Sequence, residues 1–166
     1  MAQITFKGNP VSTSGSLPSA GSRAPDFALV ASDLSEKTLG DYAGKKKVLT
    51  INPSYDTGVC QATARKFNSS LSGRSDVVVL AISRDLPFAQ KRFCEGEGLS
   101  NVVALSAFRS SFAKDYGLEL VDGPLRGLTA RAVIVLNEKN EVLLSQLVPE
   151  IASEPDYAAI SAALER

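Results

Sequence analysis

The sequence predicts an α/β fold built on a mixed central sheet. Three observations lead there. The continuous apolar runs Val77–Ile82 (VVVLAI) and Ala132–Leu136 (AVIVL) read as strands covered on both faces. Helix-forming segments follow the earlier strands one by one instead of gathering in a block. Near the C-terminus, Glu138-Lys139-Asn140-Glu141 turns one strand directly into the next, Val142–Leu147, and a hairpin there makes the sheet mixed.

The elements follow in order. Ile4–Phe6 and Val11–Thr13 form an N-terminal hairpin, with the Ser/Gly-rich turns of Ser12–Ser22 linking it to the main body, so residues 1–22 are an appendage. Phe27–Ala31 is a short strand. Val48–Ile51 is a buried strand stopped at Asn52-Pro53. The Lys45-Lys46-Lys47 run before it reads as a solvated loop. The segment after Cys60, QATARKFNSSL, is a helix with Asp56 as its N-cap and Thr57 opening the first turn. Asp85-Leu86-Pro87 starts a second helix, proline being tolerated in a first turn, and it runs through Phe88, Phe93 and Cys94 to stop near Gly96 and Gly98. Val102–Leu105 is a strand. Phe108, Phe112 and Tyr116 recur every four residues, as one face of a third helix packed on the core. Pro155–Leu164 closes the chain as a helix. The order β, β-α, β-α, β-α, β-β, α has the shape of a thioredoxin-like fold, with helices on both faces of the sheet and all 166 residues in one domain.

Composition narrows the function. Eighteen basic residues balance eighteen acidic ones, which gives no reason to expect a nucleic-acid partner. No apolar run reaches the roughly 18 residues a membrane helix needs, so no membrane is expected. The N-terminus, MAQITFKGNP, lacks the basic start and apolar stretch of a secretory signal, which points to the cytoplasm and to reduced thiols. There is no histidine, so Ser-His-Asp and Cys-His catalysis and a Cys/His zinc site are excluded. GxGxxG and GxxxxGK[ST] nucleotide loops are missing as well, and no cofactor is expected. Any chemistry falls to sulfur, and the chain has two cysteines, Cys60 and Cys94.

Cys60 lies in NPSYDTGVC, in the first turn of its helix. The amides of that turn have no partner within the helix and, with the helix dipole, favour an anion, so a thiolate is stabilised there. Thr57 is three residues away on the same face, and its hydroxyl can reach the sulfur or a substrate oxygen. Pro53 ends the strand and covers the turn without adding a competing N–H. A cysteine near a helix start can equally be an inert, buried small hydrophobe, and position alone does not separate the two readings.

The wider sequence does separate them. Pro53, Thr57 and Cys60 form PxxxTxxC, which resembles the active-site motif of the peroxiredoxins. GNPV, LGDYAGKKKVL, NPSYDTGVC, RKFN, ISRDLPFAQKRFC, EGL, DGPLRGL, ARAVIVLN, SQLV and EPDY resemble that family's bacterial thiol peroxidases (its atypical two-cysteine subfamily) along nearly the whole chain. The resemblance implies that Cys60 attacks a hydroperoxide and becomes a sulfenic acid. It implies that Thr57 holds the sulfur and the peroxide oxygen, that Pro53 shields the sulfenate, and that Arg131, opening ARAVIVLN, stabilises the developing charge. An arginine at a strand mouth is otherwise usually solvated. With no histidine present, however, a permanently charged guanidinium is the fitting cation.

The resemblance also makes Cys94 the resolving cysteine, joined to Cys60 within one chain after local unwinding, because the two Cα atoms must come within about 7 Å. It implies thioredoxin as reductant, since the chain has no CxxC of its own, and a homodimer. Phe88, Phe93 and Phe112 are candidates to line an apolar approach favouring organic hydroperoxides. Two other classes remain: a redox sensor that reacts once and recruits a partner, and a general thiol–disulfide oxidoreductase, which the missing CxxC disfavours.

Overall fold

The computed structural model describes residues 1–166. Its centre is a seven-stranded mixed sheet. In chain order the strands are β3 (Leu29–Ala31), β4 (Glu36–Lys37), β5 (Lys46–Ile51), β6 (Val77–Ser83), β7 (Val102–Ser106), β8 (Ala132–Leu136) and β9 (Val142–Leu147), and across the sheet they run β4-β3-β7-β6-β5-β8-β9. β5, β6 and β7 are parallel, and the pairs on either side are antiparallel. A separate two-stranded sheet, β1 (Gln3–Phe6) and β2 (Asn9–Ser12), forms the N-terminal hairpin, turned by Lys7 and Gly8 at φ 51 and 82. The helices are α1 (Gly58–Ser70), α2 (Pro87–Glu97), α3 (Phe112–Asp115) and α4 (Tyr157–Leu164), with a 3-10 turn at Leu39–Tyr42.

The apolar strands are buried on both faces because successive side chains alternate between two cores. On β6, Leu80 and Ile82 enter one core while Val79 and Ala81 enter the other; on β8, Ile134 and Leu136 oppose Val133 and Val135 in the same way. The register sets like beside like, with Leu49 opposite both Leu80 and Ile134. The Val/Ala side receives α1 and α4, which press Ala64, Phe67, Ile160 and Ala163 onto it, and Phe93 and Cys94 of α2 pack along the same core. Small strand residues leave room there for helices. The Leu/Ile side is covered by α3, the 3-10 turn and the hairpin, through Phe112, Leu39, Ile4 and Val11. Each large apolar side chain so buried contributes about 1.5–3 kcal/mol.

Several expectations are corrected. The α1 N-cap is Thr57, with extended backbone (φ −117, ψ 145), and Asp56 lies outside the helix. The third helix is a single turn: Phe112 and Tyr116 are buried and stacked at 4.3 Å, but Phe108 is 43% exposed. Ser110 Oγ accepts from the Phe112 N–H, which fixes the start of that turn, and Gly117 at φ 68 ends it. The predicted strand at Phe27–Ala31 shortens to Leu29–Ala31, and the small β4 beside it was not foreseen. α4 begins at Tyr157, capped by the Asp156 carboxylate accepting from the Ala159 N–H. The lysine run is not a loop. Lys46 and Lys47 belong to β5, Lys47 is fully buried with its ammonium on the Lys45 carbonyl, and Lys46 Nζ donates to the carbonyls of Leu164 and Arg166. Burial pushes the Lys47 ammonium below its usual range.

No helix is long and apolar enough to cross a membrane.

Candidate active site

Three parallel strands end on one edge of the sheet, the edge where open α/β sheets hold ligands. Asn52 follows β5, Ser83 closes β6 with Asp85 two residues beyond it, and Ser106 closes β7. β8 runs the opposite way, so it starts at this same edge, with Arg131 just before Ala132. The topology therefore brings Arg131 beside the turn that follows β5.

That turn feeds α1. The helix's first backbone bond runs from the Gln61 N–H to the Thr57 carbonyl at 3.1 Å, which leaves the amides of Gly58, Val59 and Cys60 without a helical acceptor. Cys60 is 0% exposed and packs into the Val/Ala core with Ala64 and Tyr55. Beside the turn that carries it, a pocket of about 280 Å³ is lined by Pro53, Thr57, Gly58, Val59 and Arg131. The rest of its wall is mostly apolar, made by Phe6 of the hairpin with Leu125, Leu128, Ile151 and Ala152, and Lys7 and Ser54 are its polar members.

Arg131 is only 2% exposed, and its partners are neutral oxygens: Nε donates to the Ile151 carbonyl at 2.7 Å, and a terminal nitrogen donates to Asn52 Oδ1 at 2.9 Å. A buried guanidinium without a carboxylate favours any anion brought into the pocket. Asn52 is itself fixed, its amide donating to the Tyr55 hydroxyl at 3.2 Å. Thr57 Oγ1 donates to the Ser54 carbonyl at 3.0 Å, which leaves its lone pairs free and requires a rotation before it can donate elsewhere. The hairpin supports the arginine at one remove. Thr5 exchanges backbone bonds with Pro149 and Ile151, and Glu150 accepts from the Gly8 N–H and the Thr5 hydroxyl. The Ala152 N–H, donating to the same carboxylate at 2.7 Å, and then the Gly8 N–H hold the Glu150 carboxyl below its usual range.

Pro53, Thr57 and Arg131 thus share one pocket over the turn that carries Cys60. Cys60 itself is not among the residues that line it, and neither is Cys94. Cys94 sits on α2, half-buried, and both cysteines are free thiols. Burial, and secondarily the Glu95 carboxylate, pushes the Cys94 thiol above its usual range. The apolar wall differs from the expected one: Phe88 is 68% exposed, Phe112 belongs to the opposite core, and Phe93 stacks on Tyr55 at 5.1 Å. Phe6, Leu125, Leu128 and Ile151 take that place, and Asn52 is the arginine's partner. None of these was singled out from sequence, although Leu125 and Leu128 lie within DGPLRGL and Asn52 adjoins Pro53.

The chain has relatives among known proteins. Residues 19–160 match the Redoxin family model. A thiol peroxidase of Corynebacterium glutamicum is 50% identical over 99% of this chain and 99% of its own length. One from Leptospira interrogans is 50% identical over 98% of this chain and 97% of its own. Among solved structures, a peroxiredoxin-like protein from Aquifex aeolicus superposes with a TM-score of 0.94 at 39% identity, covering 99% of this chain and 96% of that one. A thiol peroxidase from Chromobacterium violaceum, 24% identical, shares the fold with a TM-score of 0.92, covering 99% of this chain and 96% of that one.

Proposed function

Because the chain belongs to the redoxin family and is a thiol peroxidase of the peroxiredoxin type, we propose that it reduces hydrogen peroxide and organic hydroperoxides with Cys60 as the nucleophile. The Cys60 sulfur attacks one peroxide oxygen, the O–O bond breaks, and water or an alcohol leaves once a proton is taken up. Cys60 is then a sulfenic acid. Arg131 stabilises the negative charge on sulfur and on the departing oxygen, Thr57 orients the peroxide, and Pro53 keeps water from the sulfenate. The observation that carries this reading is the pocket itself: it sets Pro53, Thr57 and a buried arginine with only neutral partners over the helix turn of Cys60. Its apolar wall suits a substrate with an organic tail as well as hydrogen peroxide.

Cys94 then forms an intramolecular disulfide with Cys60, and thioredoxin reduces it. The protein works as a homodimer in the cytoplasm, each chain a single domain over 1–166 carrying its hairpin. The test is steady consumption of hydrogen peroxide and of cumene hydroperoxide with thioredoxin, its reductase and a nicotinamide reductant. Cys60→Ser is expected to reduce consumption to background. Undiminished consumption in that variant would remove the nucleophile, and a single turnover followed by silence in the unmodified protein would favour a sensor over an enzyme.

A further inference from the structure

Asp85 lies between β6 and α2 and has no place in the pocket, yet it is densely bonded. One carboxylate oxygen accepts from Ser54 Oγ at 2.8 Å; the other accepts from the Tyr55 N–H at 2.8 Å and from Ser83 Oγ at 2.9 Å. Tyr55 is pinned at its other polar groups too. Its carbonyl accepts from Gln61 Nε2 at 3.0 Å, and its hydroxyl accepts from the Asn52 amide. Its ring stacks on Phe93, the neighbour of Cys94, with 16° between the planes. Residues 54–55, just ahead of the nucleophile, are thus fastened to both parts of the segment that carries Cys94: to its start through Asp85 and to its middle through Phe93.

This arrangement opposes the second chemical step. For the disulfide to form, the Cys94 sulfur must bond the Cys60 sulfur; the S–O bond breaks, and hydroxide leaves and takes up a proton to become water. Cys60 is fully buried and Cys94 half-buried on a different helix, so the two meet only if the 54–60 segment and α2 part from their resting contacts. While they wait, a second hydroperoxide can convert the sulfenic acid to a sulfinic acid, releasing water or alcohol.

We propose that Asp85 is a positioning residue, a latch between the nucleophile's loop and the resolving helix, which governs how fast Cys94 reaches Cys60 and not how fast Cys60 meets peroxide. The proposal rests on the peroxidase reading above, and its test separates the two. Reduced protein is mixed with one equivalent of hydrogen peroxide, quenched at intervals, trapped with a sulfenic-acid reagent and a thiol alkylator, and read by mass spectrometry. In Asp85→Asn, a shape-matched neutral change, disulfide formation is expected to quicken roughly tenfold, the scale of a lost hydrogen bond to a charged group. Sulfenic acid formation stays within about twofold, and under excess peroxide the sulfinic fraction falls. Phe93→Leu keeps the carboxylate and removes the stack, and a change of about threefold in the same sense is expected. It carries the test should Asp85→Asn melt near the assay temperature. Disulfide formation that is unchanged or slower, or a parallel slowing of both steps, overturns the latch. Absence of any sulfenic acid in the unmodified protein overturns the peroxidase reading and the latch with it.

Discussion

The two cysteine-bearing helices are held in different ways. α1 buries Cys60, Thr63, Ala64 and Phe67 along one face, so its whole length is seated on the sheet. α2 fully buries only Pro87 and Gln90, half-buries Phe93 and Cys94, leaves Phe88 in solvent, and ends at Gly98 in a left-handed cap (φ 66). A helix with few buried contacts opens locally at less cost than one with many. α1 is thus seated more fully along its length, and α2 leaves more of its surface in solvent. The chemistry proposed above needs both: a fixed sulfur to meet peroxide and a movable one to rescue it.

Removing either sulfur's support should break this contrast differently. Cys94→Ser is expected to leave the first turnover intact while abolishing thioredoxin-supported recycling, with Cys60 accumulating as sulfenic and then sulfinic acid in mass spectra. Sustained recycling in that variant would place the resolving thiol elsewhere. Arg131→Ala acts on the fixed side. Loss of one preorganised charge is expected to lower kcat/KM by about 10²–10³-fold and to slow alkylation of Cys60 at neutral pH. Equal alkylation rates would assign the arginine a purely structural part. The smallest effect concerns pH. Burial raises the Cys94 thiol, so the neutral form is favoured in the folded protein and the attacking thiolate is scarce near neutrality. Disulfide formation measured by rapid quench should therefore quicken as pH rises toward the ordinary thiol value of 9.0, where a flat profile would mean that opening, not ionisation, limits the step.

Much of this was legible in the sequence, and the gaps have a common cause. The double-faced burial of β6 and β8 was written in VVVLAI and AVIVL, and the C-terminal stop of α2 in its glycines. Pro53, Thr57 and Cys60 are close in sequence, so their shared turn was readable. Arg131 was found through its segment, but its contact with Asn52 spans 79 positions and exists only because β8 lies antiparallel beside β5. The same holds for Phe6, brought to the pocket by the hairpin's bonds to Pro149 and Ile151. Local pattern also misled. Three consecutive lysines suggested solvent, whereas the neighbouring carbonyl of Lys45 lets Lys47 stay inside; and the four-residue spacing of Phe108 to Tyr116 suggested a helix that Ser110 and Gly117 confine to one turn.

The lone guanidinium of Arg131 has one more consequence. Hydrogen-bonded to uncharged oxygens, it has no carboxylate partner, so an anion entering the pocket would be its counter-ion. On the chemistry proposed above, the reacting sulfur would fill that role, and its conversion into a neutral disulfide would take the counter-ion away. On that reading the oxidised molecule would be the electrostatically poorer of the two, and the protein's own interior would favour handing the bond to a reductant and returning to rest.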